Sequence, residues 1–192
     1  MEDSTRPLNL EADLLVIGWG KAGKTLARDL ASHGRRVVLV ERDDAMIGGT
    51  CINVACVPTK TLVNLAERRG DRNPDEYLKQ AIASRDALID KLRAANKAML
   101  SGLETVTLVH GEARFAGPRR IRVRSGEETL DITAGAVVVN TGTSPLMPDV
   151  PGIQGRFVYD STTIQHIADG RVPHTLTIVG GGFIGLEFAS MF

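Results

Sequence analysis

Three glycines in Gly18-Trp19-Gly20-Lys21-Ala22-Gly23 constrain this chain more than any other stretch, because they stand between two short apolar runs. Leu14-Leu15-Val16-Ile17 precedes them and Val37-Val38-Leu39-Val40 follows. Continuous branched runs of this length read as strands covered on both faces. Between them, 24–32 reads as a helix with Leu26, Ala27 and Leu30 on one face and Gly34 ending it. Strand, tight turn, helix, strand is the repeating unit of a parallel sheet. In a G-x-G-x-x-G turn, Gly18 permits the bend and Gly20 lets the backbone approach a pyrophosphate. Gly23 lets the helix lie close to the strand. The helix start supplies N–H groups and a positive partial charge for phosphate. Glu41 ends the second run on the order of twenty residues after Gly18, where a carboxylate can accept both ribose hydroxyls of an adenosine. Trp19 could cover part of such a nucleotide or pack inside.

The rest of the chain completes an α/β pattern. Residues 1–11 read as a loose leader. A helix is expected over about 58–69. Asn73-Pro74-Asp75-Glu76 combines a cap, a first-turn proline and a capping-box glutamate. It opens a long amphipathic helix through Leu78, Ile82, Leu88, Ile89, Leu92 and Met99, ending at Ser101-Gly102. From Glu104 the apolar period changes to two. Val106 and Leu108, Ile121 and Val123, and Leu130 and Ile132 predict a small antiparallel meander. Residues 136–140 predict another buried strand, and Pro145, Pro148, Pro151 and Gly152 a stiff connection. Leu176-Thr177-Ile178-Val179 predicts a strand leading into a second glycine turn that carries Gly180, Gly182 and Gly185. A nucleotide domain opening there needs on the order of 100 more residues. The expectation is an N-terminal portion of a longer protein: a first nucleotide domain over 1–150, a linker over 151–173 and the start of a second over 174–192.

Cys51 and Cys56 are the only cysteines among 192 residues. A C-x4-C spacing does not match the two-residue loops of zinc sites, and no histidine lies close by, so no metal site is expected. The bland reading is a pair of unrelated buried thiols. The sharper one is a thiol pair beside a bound dinucleotide, a path for two electrons. On an unbroken helix, residues five apart have Cα atoms about 8–9 Å apart, whereas a disulfide needs less than about 7 Å. The intervening segment must therefore be bent if the two bond, and such a disulfide would be readily reduced. Lys60 lies one helical turn beyond Cys56, where a cation could stabilise a thiolate or could simply be solvated. His33, His110, His166 and His174 show no triad or ligand spacing. The 23 basic and 23 acidic residues cancel, so nucleic acid and anionic membrane are not expected partners. No apolar run reaches the roughly 20 residues of a spanning helix. The polar N-terminus carries no signal-type core, which leaves the cytoplasm as the expected location.

Taken together, these motifs resemble the class I pyridine nucleotide-disulfide oxidoreductases, the family of dihydrolipoamide dehydrogenase, glutathione reductase and mercuric reductase. The matching residues are 18–23, Glu41, Gly49-Thr50-Cys51 through Cys56, Pro58-Thr59-Lys60, Asn140-Thr141-Gly142, Gly180 through Gly185, and Glu187. The strings GWGKAGKTLA and GGTCINVACVPTKTLV are most similar to the RclA-like, reactive-chlorine-resistance branch, flavoproteins associated with copper(II) reduction. The resemblance implies a Rossmann-like FAD-binding domain with a parallel sheet and a meander, then the start of an NAD(P)-binding domain. It implies FAD on Gly18, Gly20, Gly23, Lys24, Glu41, Gly49, Thr50, Lys60, Ala113, Thr141 and Gly142. NAD(P)H would bind at Gly180, Gly182 and Gly185, with NADH and NADPH undistinguished. Electrons would pass from NAD(P)H through FAD to a Cys51–Cys56 disulfide and on to a disulfide or metal-ion acceptor. Cys56 would be the thiol nearer the flavin and Cys51 the interchange thiol, and Lys60 would meet Glu187. A homodimer is implied for the longer protein. The family's later segments are missing here, so the chain by itself is expected to be inactive; a non-catalytic nucleotide-binding fragment is the alternative.

Overall fold

The computed structural model describes residues 8–167 and 171–192. The part of the expected leader at 1–7, and 168–170 of the expected linker, lie outside the described residues. The chain forms two compact units. One takes in Met1–Thr50 and Arg93–Gly142, the other Cys51–Leu92 and Thr143–Phe192.

The first unit is built on one six-stranded sheet. Its strands are β1 (Leu8–Ile17), β2 (Val37–Glu41), β3 (Val106–His110), β4 (Glu112–Gly117), β5 (Arg120–Ser125) and β6 (Glu128–Val139). Their order is β3-β2-β1-β6-β5-β4. β3, β2, β1 and β6 run parallel, while β5 and β4 add antiparallel to β6. Helix α1 (Lys21–Ser32) connects β1 to β2. Leu14, Val16, Val37 and Leu39 pack one face of the sheet with Ala27 and Ala31 of α1. Leu15, Val38 and Val40 point the other way and pack with Ile121, Val123 and Ile132. Both faces of the central strands are covered, which is why they read as unbroken apolar runs rather than alternations.

Several expectations are corrected. Residues 8–11 are not a loose leader: they extend β1, because Leu8 through Ala12 pair with Leu130 through Ala134 of β6. β3 does not belong to the meander; its residues pair parallel with β2. The two strands expected near Leu130 and after Ala136 are one twelve-residue strand, β6. It pairs antiparallel with β5 through Glu128–Thr133 and parallel with β1 along its length. α1 starts three residues earlier than expected, inside the glycine turn, and Leu26 faces outward while Ala27 and Ala31 are buried.

In the second unit, α2 (Thr50–Asn53) opens at the boundary and α3 (Cys56–Glu67) follows. Helix α4 (Pro74–Ser101) begins as expected: Asn73 Oδ1 accepts from the N–H groups of Asp75 and Glu76. Its inward line in this unit is Tyr77, Ala81, Arg85 and Ile89. This is an i, i+4 row that places a guanidinium where the apolar pattern pointed to Ile82 and Leu88. Residues 176–179 are not a strand. No described strand offers them a ladder, and Val179 remains exposed. Helix α5 (Phe183–Met191) then starts at the second glycine turn, as expected, with Gly182 as its cap residue. Among the described residues, no helix is long and apolar enough to cross a membrane.

Candidate functional site

In the first unit, three loops converge at the C-terminal ends of β1 and β6. Gly18 has φ +95°, and a Cβ there would strike the Asn140 carbonyl oxygen. A Cβ on Gly20 would lie 2.7 Å from Asn140 Nδ2. A Cβ on Gly23 would lie 2.5 Å from Val16 Cγ1. Gly49, at φ +82°, places its own missing Cβ 2.6 Å from Gly20 Cα, and Gly142 faces Thr50 Oγ1 in the same way. The glycines are therefore the condition for loops 18–23, 48–50 and 140–142 to touch backbone to backbone. Asn140 locks them, its Nδ2 donating to the Gly18 carbonyl and its N–H to that of Ile17.

Electrostatics follow from the same packing. Gly20 caps α1 without a side chain, so the first-turn N–H groups receive no acceptor from their own cap and present positive potential. At the end of β2, Glu41 accepts from the Trp19 N–H at 2.9 Å through Oε2 and from the Arg42 and Asp43 N–H groups through Oε1. The carboxylate is thus oriented by three backbone donors. Lys24 is turned inward, 9% exposed, and its ammonium donates to Asn96 Oδ1. Ala113 pairs with Val123 near the start of β4, and the neighbouring Gly111 N–H donates to the Glu41 carbonyl. Trp19 resolves toward packing: it is 4% exposed in the core, and its Nε1–H finds no acceptor among the described residues. A glycine-lined turn, an open helix start and an oriented acid form a cradle that fits an adenine dinucleotide.

In the second unit, the two cysteines flank a break in the helix. Cys51 is in α2 and Cys56 is the first residue of α3; Val54 and Ala55 between them are non-helical, with Ala55 at φ −127°, ψ −100°. α3 thus begins two residues before the expected Pro58. Both sulfurs are thiols with no disulfide between them, Cys56 being the more exposed. One turn along α3, the Lys60 ammonium meets the Glu187 carboxylate of α5. The sequence separation of that pair is 127 residues. The glycine turn before α5 packs as its spacing predicts, since a Cβ on Gly185 would lie 2.8 Å from the Gly180 carbonyl oxygen. Among the described residues, no group of three or more His, Cys, Asp or Glu side chains is arranged to hold a metal ion.

Two residues of this unit escaped the sequence reading. Arg85 is fully buried. Its Nη1 donates to the Gln165 carbonyl at 2.5 Å, its Nε and Nη2 meet Asp86 Oδ1, and Nη2 lies 3.2 Å from His166 Nδ1. Gln165, 3% exposed, donates through Nε2 to the carbonyls of Val54 at 3.0 Å and Ser161 at 2.7 Å. The only sequence signal was the place of Arg85 in the row Tyr77, Ala81, Arg85, Ile89; nothing marked Gln165.

The profile of a family described as "Pyridine nucleotide-disulphide oxidoreductase" matches residues 12–192. The chain belongs to this family. It is 41% identical over 179 residues to the probable pyridine nucleotide-disulfide oxidoreductase RclA of Escherichia coli strain K12, covering 93% of this chain and 39% of that protein. It is 37% identical over 190 residues to the dihydrolipoyl dehydrogenase of Thermus scotoductus, covering 94% and 39%. A solved structure of HOCl-induced flavoprotein disulfide reductase RclA from Escherichia coli superposes with TM-score 0.83 at 40% identity, over 93% of this chain and 39% of that one. Within the pyridine nucleotide-disulfide oxidoreductases, the chain falls in the RclA-like branch. It spans about two fifths of the length of the relatives it matches.

Proposed function

We propose that this chain is the FAD-binding portion and redox-active segment of a flavin-dependent disulfide oxidoreductase that draws electrons from NAD(P)H. The observation that carries the reading is the coexistence, in one chain, of a glycine cradle that no side chain could enter and a cysteine pair split by a helix break. Gly18, Gly20 and Gly23 would hold the pyrophosphate of FAD and Glu41 its ribose. Gly49, Thr50, Ala113, Thr141 and Gly142 would line the same ligand, with Lys24 bracing α1 from within. FAD, when bound, supplies the two-electron relay between a nicotinamide and a disulfide. Gly180, Gly182 and Gly185 would receive the NAD(P)H pyrophosphate.

Cys51 and Cys56 take up two electrons and two protons as their disulfide opens to two thiols. Cys51 attacks a disulfide acceptor by thiol exchange, or the dithiol gives its two electrons to a bound metal ion and its two protons to solvent, and Cys56 closes the disulfide again. Lys60 sits one turn from Cys56, and its pairing with Glu187 keeps a cation oriented there. Kinship with mercuric reductases supports a metal-ion acceptor as much as a disulfide. A cytoplasmic homodimer is the assembly this reading implies for the whole protein.

The test is FAD binding by the purified chain, read from flavin absorbance after desalting, beside the Glu41→Ala variant. Flavin retained by the parent and weakened at least tenfold in the variant supports the reading. A folded chain that takes up no FAD refutes it. Bound FAD with a cysteine pair that no oxidant joins would leave the non-catalytic alternative standing.

A further inference from the structure

Along β5, arginine alternates with other residues, and the sheet sorts them by face. Ile121 and Val123 are fully buried in the core, so Arg120, Arg122 and Arg124 stand on the outer side. Cross-strand register adds Arg114 of β4, opposite Arg122, and Glu112, opposite Arg124. Asp131 of β6 flanks Arg122 from the other side. Arg120 and Arg122 share the Asp131 carboxylate, which Arg122 grips through Nε and Nη2 at 2.8 and 3.1 Å. Arg114 and Arg124 share Glu112. Four guanidiniums thus face two carboxylates, and Glu11 of β1, beside Thr133, is an acid at the margin of this face. The four arginines remain 54% to 76% exposed. A chain without net charge concentrates positive charge here, since residues 113–126 hold five arginines and no acid. Like charges directly opposite across two strands are destabilising. The Arg114–Arg122 pair therefore does not serve the sheet, and an anion lying over both would relieve it.

We propose that this arginine face is a docking surface for an extended, acidic segment of a partner protein. Alternate residues of a strand lie about 6.8 Å apart. Arg120, Arg122 and Arg124 are therefore spaced like the side chains on one face of a second extended segment. Carboxylates at alternate positions of such a segment meet the row one by one. A carboxylate is also the anion already seated between these arginines, held by the two-pronged contact that a guanidinium fits best. Nη1 of each arginine donates to neither Asp131 nor Glu112, which leaves N–H groups for an incoming acid. The cross-strand rows through Arg120, Arg122 and Arg124 contain no aromatic ring. Single-stranded nucleic acid would find no stacking platform among them.

The experiment titrates the purified chain into a fluorescein-labelled peptide of about six Glu-Thr repeats, whose β-branched residues favour an extended form. Binding is read by fluorescence anisotropy at low salt. A second peptide carries the same number of glutamates at every third residue, which turns successive carboxylates to opposite faces of a strand. The first peptide should bind several-fold more tightly than the second, and its binding should fade as salt is raised. Arg114→Gln and Arg124→Gln leave the buried Asp131 paired. Each should weaken binding of the first peptide about two- to fivefold, and the double variant about tenfold. Arg124→Lys should weaken it too, because the charge stays and the fork is lost. Arg28→Gln is the control: it is exposed on α1, which packs on the opposite face of the sheet, and it should leave the affinity unchanged. Failure to bind the first peptide, equal affinity for the two peptides, or equal losses in Arg28→Gln and Arg124→Gln would overturn the proposal. Tighter binding of oligo(dT) of the same length would overturn it as well, and assign the face to nucleic acid.

Discussion

Glycines 34 and 49 share a left-handed backbone, at φ +75° and +82°, and differ in what surrounds them. A Cβ on Gly34 meets nothing within 4 Å, whereas one on Gly49 meets Gly20 Cα at 2.6 Å. Gly34→Ala should therefore cost about 1 kcal/mol, the conformational penalty alone. Gly49→Ala should cost about 2–4 kcal/mol, because the clash is with backbone that cannot rotate away. Urea denaturation of the two variants checks the ordering; equal losses would show that the loops do not touch. The Lys60–Glu187 pair is a different kind of contact. Lys60 is 67% exposed, so a double-mutant cycle on stability should return less than about 1 kcal/mol, fading in salt. Such a pair contributes little to holding the helices together.

At the scale of elements, two charged residues tie structure together at positions the apolar pattern could not announce. Arg85 holds α4 to the turn of Gln165 and His166. Arg85→Ala should cost about 2–4 kcal/mol, from a cavity and from a Gln165 carbonyl left without its donor; a loss below about 1 kcal/mol in chemical denaturation would contradict it. Asp131 of β6 is 4% exposed. It accepts from Arg122 and Arg120 of β5, which hold its carboxyl well below the usual carboxylate range against the opposing effect of burial. A carboxyl depressed in the folded state stabilises it at any pH above the unfolded value of about 3.9, and that stability is lost as the pH falls toward the folded value. Asp131→Asn should thus be less stable than the parent at pH 7, with the gap narrowing below about pH 4. A gap that stays constant on acidification would show that the ion pairs are not its source.

For the whole molecule, FAD binding should be visible as stability. A ligand that binds only the folded chain at one hundred times its dissociation constant adds about 2.7 kcal/mol, so the urea midpoint should rise with added FAD and respond far less in Gly23→Ala.

Much of this was legible in the chain itself. The glycine turns, the acid after β2, the cysteine spacing and the capped start of α4 are local rules, because a left-handed φ, a helix cap or a reachable phosphate depends on a few consecutive residues. Even the meeting of Lys60 with Glu187 could be anticipated, through resemblance rather than periodicity. Tertiary structure alone decided that β3 joins β2, that residues 8–11 pair with β6, and that 176–179 make no strand. It alone decided too that Gln165 reaches the turn between the cysteines and that Arg85 reaches Gln165. Strand partnership and buried polar contacts are settled by which groups meet across long stretches of chain, and an apolar alternation or a lone glutamine carries no label for its partner.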